Sequence, residues 1–384
     1  MAETWDRLLT RWTAAGVVDD DTARRIRAFE TSHASASRWN WPVWLALGFG
    51  ALTLGAGVLL FVSAHWESLS PLARIALVTG LVAVFHAGAA VIADRFPAMS
   101  VALHAVGSVA LGAGIYLAGQ IFNLEEHWPG GLMLWALGAA LAAALLRAWP
   151  QTALVAILAP AWLVGEWLVA IEHHNWSGDL EPLATGLFLL AFAYFMAARS
   201  GTTPDLHRRT LIRLGGLTLP FATLFLSITA FEARIFGPHW SPPLSSIGWL
   251  TAIGLPLMVA TILRRQAPWP QLGAMLWAIL FVQLVPLAGE LVPLAGKTVL
   301  YGWLALGAAG MAMLGVLESR AERINMGAAI FAATVVAFYF SNVMDKLGRS
   351  ASLIGLGIVL LAGGWGIERM RRGLVLQVKK GFAS

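Results

Sequence analysis

From Val43 onward the chain alternates long apolar runs with short polar or charged connections. Twelve runs can be marked: Val43–Ser63, Ala73–Ala93, Met99–Gly119, Gly130–Leu146, Thr152–Ile171, Leu183–Ala198, Leu214–Phe231, Leu244–Leu263, Leu272–Ala288, Val299–Leu317, Met326–Val343 and Leu353–Ile367. Many approach the ~20 residues that an α-helix needs to cross ~30 Å of hydrocarbon. In lipid, backbone N–H and C=O groups must be satisfied within a helix or within a closed barrel. Barrel strands alternate apolar and polar positions over ~10 residues, and these runs are apolar throughout. The pattern predicts an all-α fold, a polytopic helical membrane bundle of about 12 transmembrane helices.

The polar segment ahead of the first run has a pattern of its own. Trp5, Leu8, Leu9 and Trp12 recur at helical spacing, and Gly16 is a natural stop. Asp19, Asp20 and Asp21 are suited to cap a second helix reaching about Phe29. Residues 1–38 therefore read as a cytoplasmic helical hairpin, 39–371 as the transmembrane bundle and 372–384 as a basic cytoplasmic tail. His33–Ser37 is the expected linker, and Trp39, Trp41 and Trp44 mark the expected interface. The first forty residues lack the apolar core of a cleaved signal peptide, so the first run is expected to start insertion.

Composition agrees with the pattern: 58% of residues are hydrophobic and only 12% charged, with a mean hydropathy of +0.71. Soluble domains carry roughly 25% charged residues. The net charge of +5 invites a nucleic-acid reading, but the cations argue against it. Lysine occurs only at 297, 346, 379 and 380, and most arginines sit in short connections beside the runs. With the N-terminus in the cytoplasm, all of the Lys and Arg fall on the inner side except Arg74, Arg234, Lys297, Lys346 and Arg349. Inner loops are enriched in such cations, so both termini are expected to be cytoplasmic, which suits an even number of spans. Cysteine is absent, which removes disulfides and Cys-ligated metals from consideration.

Candidate chemistry gathers where runs end. In GAGIYLAGQIFNLEEHW (residues 112–128), Gly112, Tyr116, Gln120, Asn123 and His127 fall within an arc of roughly 80° at ~100° per residue. This polar stripe reads either as one wall of a cavity open to the outside or as a hydrogen-bonded seam between helices. The outer connections repeat a histidine–tryptophan theme in AHWES, EEHWP, EHHNW and GPHW. His65, His127, His173 and His174 with Glu126 form a candidate set for a divalent metal, since imidazole suits such ions. The same imidazoles could instead sense external acidity or belong to an interfacial belt. HExxH spacing is absent. Glu166, His86 and His104 lie within runs, where ionisable residues mark candidate functional sites, whereas Gln283 and Asn342 read as interhelical glue. P-loop, GxSxG, HExxH and CxxC signatures are all missing. The reading therefore leans away from an enzyme and implies no cofactor.

An internal echo joins LGAGVLL (Leu54–Leu60) to LGAGIYL (Leu111–Leu117). Two spans separate the copies, so a duplication would be parallel. A wider resemblance is carried by LLTRWTAAGVVDDDTARRIRAFE, by VLLFVSAHWESLSPLARIAL and above all by GAGIYLAGQIFNLEEHWPGGLMLWALGAALAAALLRAWPQ. These stretches resemble a bacterial family of predicted inner-membrane proteins of unknown function. The family resembled typically shows Gly-Gln-Ile-Tyr where this chain has Phe122 as the last residue, and Asn-Trp where this chain has His65 before Trp66. The resemblance implies a multi-pass protein of the bacterial inner membrane and singles out Gln120. It also implies a small membrane-anchored partner protein, because such genes often neighbour members of the family.

Together these features lead to two functional expectations. One is a transporter-like or lipid-handling bundle with an outward-facing polar pocket built from Tyr116, Gln120, Asn123 and Glu166. The other is a non-transporting scaffold or sensor that holds a partner protein. In either case the lipid bilayer is the surrounding medium and nucleic acid is not a partner.

Overall fold

The computed structural model describes residues 9–34, 69–122, 127–173, 180–198, 204–236, 242–264, 268–291 and 293–342, together with isolated positions between 46 and 64 and at 357. Every regular element among the described residues is a helix. They are α1 (Asp20–Ala34), α2 (Pro71–Ile92), α3 (Pro97–Phe122), α4 (Trp128–Leu146), α5 (Trp149–His173) and α6 (Glu181–Phe195). These are followed by α7 (Leu206–Phe236), α8 (Pro242–Arg264), α9 (Trp269–Leu291), α10 (Pro293–Leu317) and α11 (Ala321–Asn342). Eight of these helices are long and apolar enough to cross a membrane, while Glu181–Phe195 and Trp269–Val285 form shorter apolar helices. The expected spans Val43–Ser63 and Leu353–Ile367 lie outside the described residues apart from isolated positions, as does most of the Leu54–Leu60 repeat.

Local chemistry sets the helix ends. Residues 9–14 are helical, and Gly16 takes φ +66, a left-handed value that suits glycine. The Gly16 and Val17 N–H groups close the turn on the Thr13 and Trp12 carbonyls. Asp19 then accepts from the Thr22 N–H at 3.3 Å and starts α1. Its hydrogen bonds from Thr22 hold the Asp19 carboxyl below the ordinary range. Ser70 caps α2 by accepting from the Ala73 N–H at 3.3 Å, with Pro71 in the first turn, where a missing N–H does no harm.

The chain divides into two compact units, Met1–Ala110 and Leu111–Ser384. In the first, Leu9 and Ala23 are buried, and Phe85 and Ala89 form the buried face of α2. In the second, α4 pairs with α5, α6 packs on α7 and α8, and α9, α10 and α11 pack in succession. Small residues permit these approaches: a Cβ on Gly215 would sit 2.7 Å from the Ala191 carbonyl oxygen, and one on Gly327 would sit 2.6 Å from that of Ala308. Between helices in lipid, such close packing supplies the attraction that the hydrophobic effect does not. Around it lies an aromatic core in which Trp277 stacks on Phe281 at 5.1 Å and meets Phe188 at 5.3 Å.

The run Leu183–Ala198 ends as helix at Phe195, slightly earlier than its apolar pattern suggests. Residues 196–198 form a turn whose carbonyls accept from arginines of other helices, so apolarity continues where helical hydrogen bonding stops.

Candidate functional site

Where α4 begins and α5 ends, a titratable cluster forms. The Glu166 carboxylate lies on α5 inside the helical span. His127 Nε2 stands 3.0 Å from its Oε1 and 2.9 Å from its Oε2. On the same helix, Trp162 Nε1 donates to Oε1 at 2.8 Å, the one-turn spacing that places side chains on a common face. The pair is open to its surroundings, with 56% of the His127 and 36% of the Glu166 side chain exposed. A carboxylate held by an imidazole and an indole N–H has an anchored geometry and an exchangeable partner. It is suited to pass a proton or to receive a cationic group.

Backbone packing delivers His127 to this place. Gly165 lies under the Trp128 ring, and a Cβ there would meet the ring at 2.8 Å and Pro129 at 3.1 Å. The missing side chain lets the start of α4 settle against α5, which puts a residue 39 positions away within reach of Glu166.

The other candidates fall in different places. His86 of α2 and His104 of α3 share a hydrogen bond, Nδ1 to Nδ1, of 2.8 Å, with ring centroids 5.1 Å apart. His104 is buried, and so are Ser100 and Ser108 one turn to either side. Gly107 lets the His86 ring lie against the α3 backbone. One ring must donate and the other accept, so the pair is held together only while at least one imidazole is neutral at Nδ1. Tyr116 turns 71% of its surface outward. Gln120 lies within α3 and His173 ends α5, but their side chains fall outside the described residues. Asn123, Glu126, His65 and His174 lie outside them altogether. Among the described residues, no group of three or more His, Cys, Asp or Glu is arranged to hold a metal.

Sequence reasoning missed the most deeply buried charges among the described residues. Glu318, just past the end of α10, bridges Arg264 from α8 at 2.7 Å and Arg323 from α11. Relative exposures are 6% for Arg264, 6% for Glu318 and 0% for Arg323. Arg264 also donates to the Met196 carbonyl at 3.3 Å, and Arg323 to that of Ala198 at 3.1 Å. Arg208 of α7 donates to the Ala197 carbonyl between them at 2.8 Å. Three guanidiniums thus close the carbonyl end of α6, where the helix dipole favours cations. Burial alone would raise the Glu318 carboxyl, but the hydrogen bond from Arg264 and the charge of Arg323 outweigh it and hold it below its ordinary value. Ser319 takes φ 54 in the tight turn that brings Glu318 and Arg323 together. A sequence signal did exist, a glutamate directly after an apolar run with arginines close behind it in LESRAERIN. On the chain alone it looks like one more charge in a short connection between two runs.

Residues 10–152 match the family model described as "Predicted membrane protein (DUF2157)". That match covers the N-terminal helices, α2, α3 and α4, and it is consistent with a membrane family of unknown function. No curated protein matches the chain, and no solved structure does.

Proposed function

We propose that this polytopic helical membrane protein is transporter-like or lipid-handling, and that the Glu166–His127 pair is its polar contact with the molecule it handles. The observation that carries this reading is a carboxylate within a membrane span, oriented by the Trp162 N–H and facing an imidazole that remains half exposed. Ionisable groups at such depth are expensive unless they face a cavity or a partner. Gln120, Asn123 and Tyr116 extend the pocket in this reading. In this reading the chain has about twelve spans with both termini in the cytoplasm of a bacterium, and the pair lies at the outer rim. No catalytic step is assigned to it. The test is uptake or lipid flipping by the full-length protein in reconstituted vesicles, with Glu166→Gln and Gln120→Ala beside wild type. Loss of flux in Glu166→Gln supports the pocket, and three equal rates overturn it.

A scaffold that holds a partner is the second reading, supported by the N-terminal helices. Val17 is 73% exposed, Phe29 59% and Trp12 42%, an apolar surface outside the membrane spans. A small membrane-anchored protein is the partner in this reading. Pull-down with full-length protein and with a variant lacking residues 1–38 tests it. Identical partners in the two samples would remove the docking role of this segment.

A further inference from the structure

A cavity of about 430 Å³ opens among α6, α7, α9, α10 and α11, far along the chain from the Glu166–His127 pair and independent of the reading given for that pair. Its walls include Phe188, Phe192, Trp277, Leu304 and Leu314, and its end is marked by Trp269 and Leu317. That end is where α10 finishes and α9 begins, the same end as the arginine cluster. Its polar side-chain groups are few: the Thr223 hydroxyl donates to the Leu219 carbonyl at 2.8 Å, Trp277 Nε1 donates to the Trp303 carbonyl at 3.2 Å, and Trp269 sits at the mouth. With so few hydrogen bonds on offer, water gains little by entering, since apolar cavities tend to stay dry. Leu306, Met313 and Leu317 line the cavity and are also between 56% and 60% exposed, so its mouth opens on the surface that spanning helices present to lipid.

We propose that this cavity holds one acyl chain of an anionic phospholipid, with the headgroup at the arginine-rich end. Its volume falls within the ~300–1,000 Å³ of small-molecule sites, whereas a partner helix, ~10–12 Å across with its side chains, needs far more room. The headgroup's charge follows from the net field of the cluster beside Leu317 and not from contact with its buried guanidiniums; Arg320, on the same turn, is the partly exposed cation there. Glu318, the residue after Leu317, is a single carboxylate between Arg264 and Arg323, so the buried group is cationic overall. Trp269, half exposed at the same end, is the residue type that sits at headgroup level.

Two glycines keep the floor of the cavity open. A Cβ on Gly273 or on Gly310 would meet nothing within 4 Å, so neither glycine is needed for helix packing, yet both line the cavity. Gly307 differs, because a Cβ there would press on the Trp277 ring at 2.9 Å. Gly254 on α8 has equally open space but does not line the cavity, and it serves as the control.

The experiment is native mass spectrometry of the full-length protein released from nanodiscs of equal phosphatidylglycerol and phosphatidylcholine. Wild type and Gly254→Leu are expected to retain phosphatidylglycerol with several-fold enrichment over phosphatidylcholine, and Gly310→Leu and Gly273→Leu to lose most of it. Equal retention by the two cavity variants and wild type overturns the proposal. So does retained lipid that mirrors the bulk mixture, or a second protein chain in place of lipid.

Discussion

Two acid–base clusters at opposite ends of the second unit use the same chemistry in different surroundings. Glu166 meets one imidazole and one indole where a third or more of the Glu166 and His127 side chains is open. Glu318 meets two guanidiniums where almost nothing is open. Exposure decides what each can do. Facing the outward pocket proposed above, the open pair contributes about 1 kcal/mol or less to stability because water screens it, which leaves it free to exchange partners. A closed cluster has lost its hydration, so its members depend on one another and on the carbonyls of residues 196–198. The first arrangement suits handling a ligand, and the second suits holding helices together.

The largest expected effect comes from breaking the closed cluster. Glu318→Gln leaves Arg264 and Arg323 buried without the carboxylate they share, and loss of one buried partner costs about 3–5 kcal/mol. Thermal unfolding in detergent should show a large fall in midpoint. Acid should act on the same group. Because the folded-state value of Glu318 is lowered, its contribution is complete above the ordinary value of 4.5 and is lost as pH falls through the lowered one. Glu318→Gln should remove that component of the acid dependence, which a melting series across the acid range would read.

Removing half of the histidine pair should have an intermediate effect. His104→Leu strips the partly buried His86 of its 2.8 Å partner within a span, at a cost toward the lower end of the about 1–3 kcal/mol of an unsatisfied buried polar group. The same melting assay measures it, with His104→Gln expected to restore part of the loss by supplying a new donor. The smallest stability effect belongs to the open pair. Glu166→Gln should move the midpoint little, by the equivalent of about 1 kcal/mol or less, while flux falls.

How far these features could be read from the sequence depends on their range. The stop at Gly16 and the start at Asp19 are settled within four residues, so a linear reading reaches them, whereas the equally local Ser70 cap goes unread behind a run marked from Ala73. Membrane class was equally legible, because span length and apolarity belong to each segment alone. Partner choice was not legible. Glu166 declares a need for a partner, but the packing of Trp128 over Gly165 decides which imidazole supplies it. Glu318 and its arginines were hidden for a related reason: charges at run ends look solvated until other helices cover them. The cavity beside them depends on several helices leaving space at Gly273 and Gly310, which no local pattern records.

The most direct measurement takes melting midpoint and flux from one reconstituted sample of Glu166→Gln, with Glu318→Gln beside it. The account predicts a near wild-type midpoint with flux lost for Glu166→Gln, and a large fall in midpoint for Glu318→Gln. A Glu166→Gln protein that melts as early as Glu318→Gln, yet carries wild-type flux per folded molecule, would contradict the division of labour between the two ends.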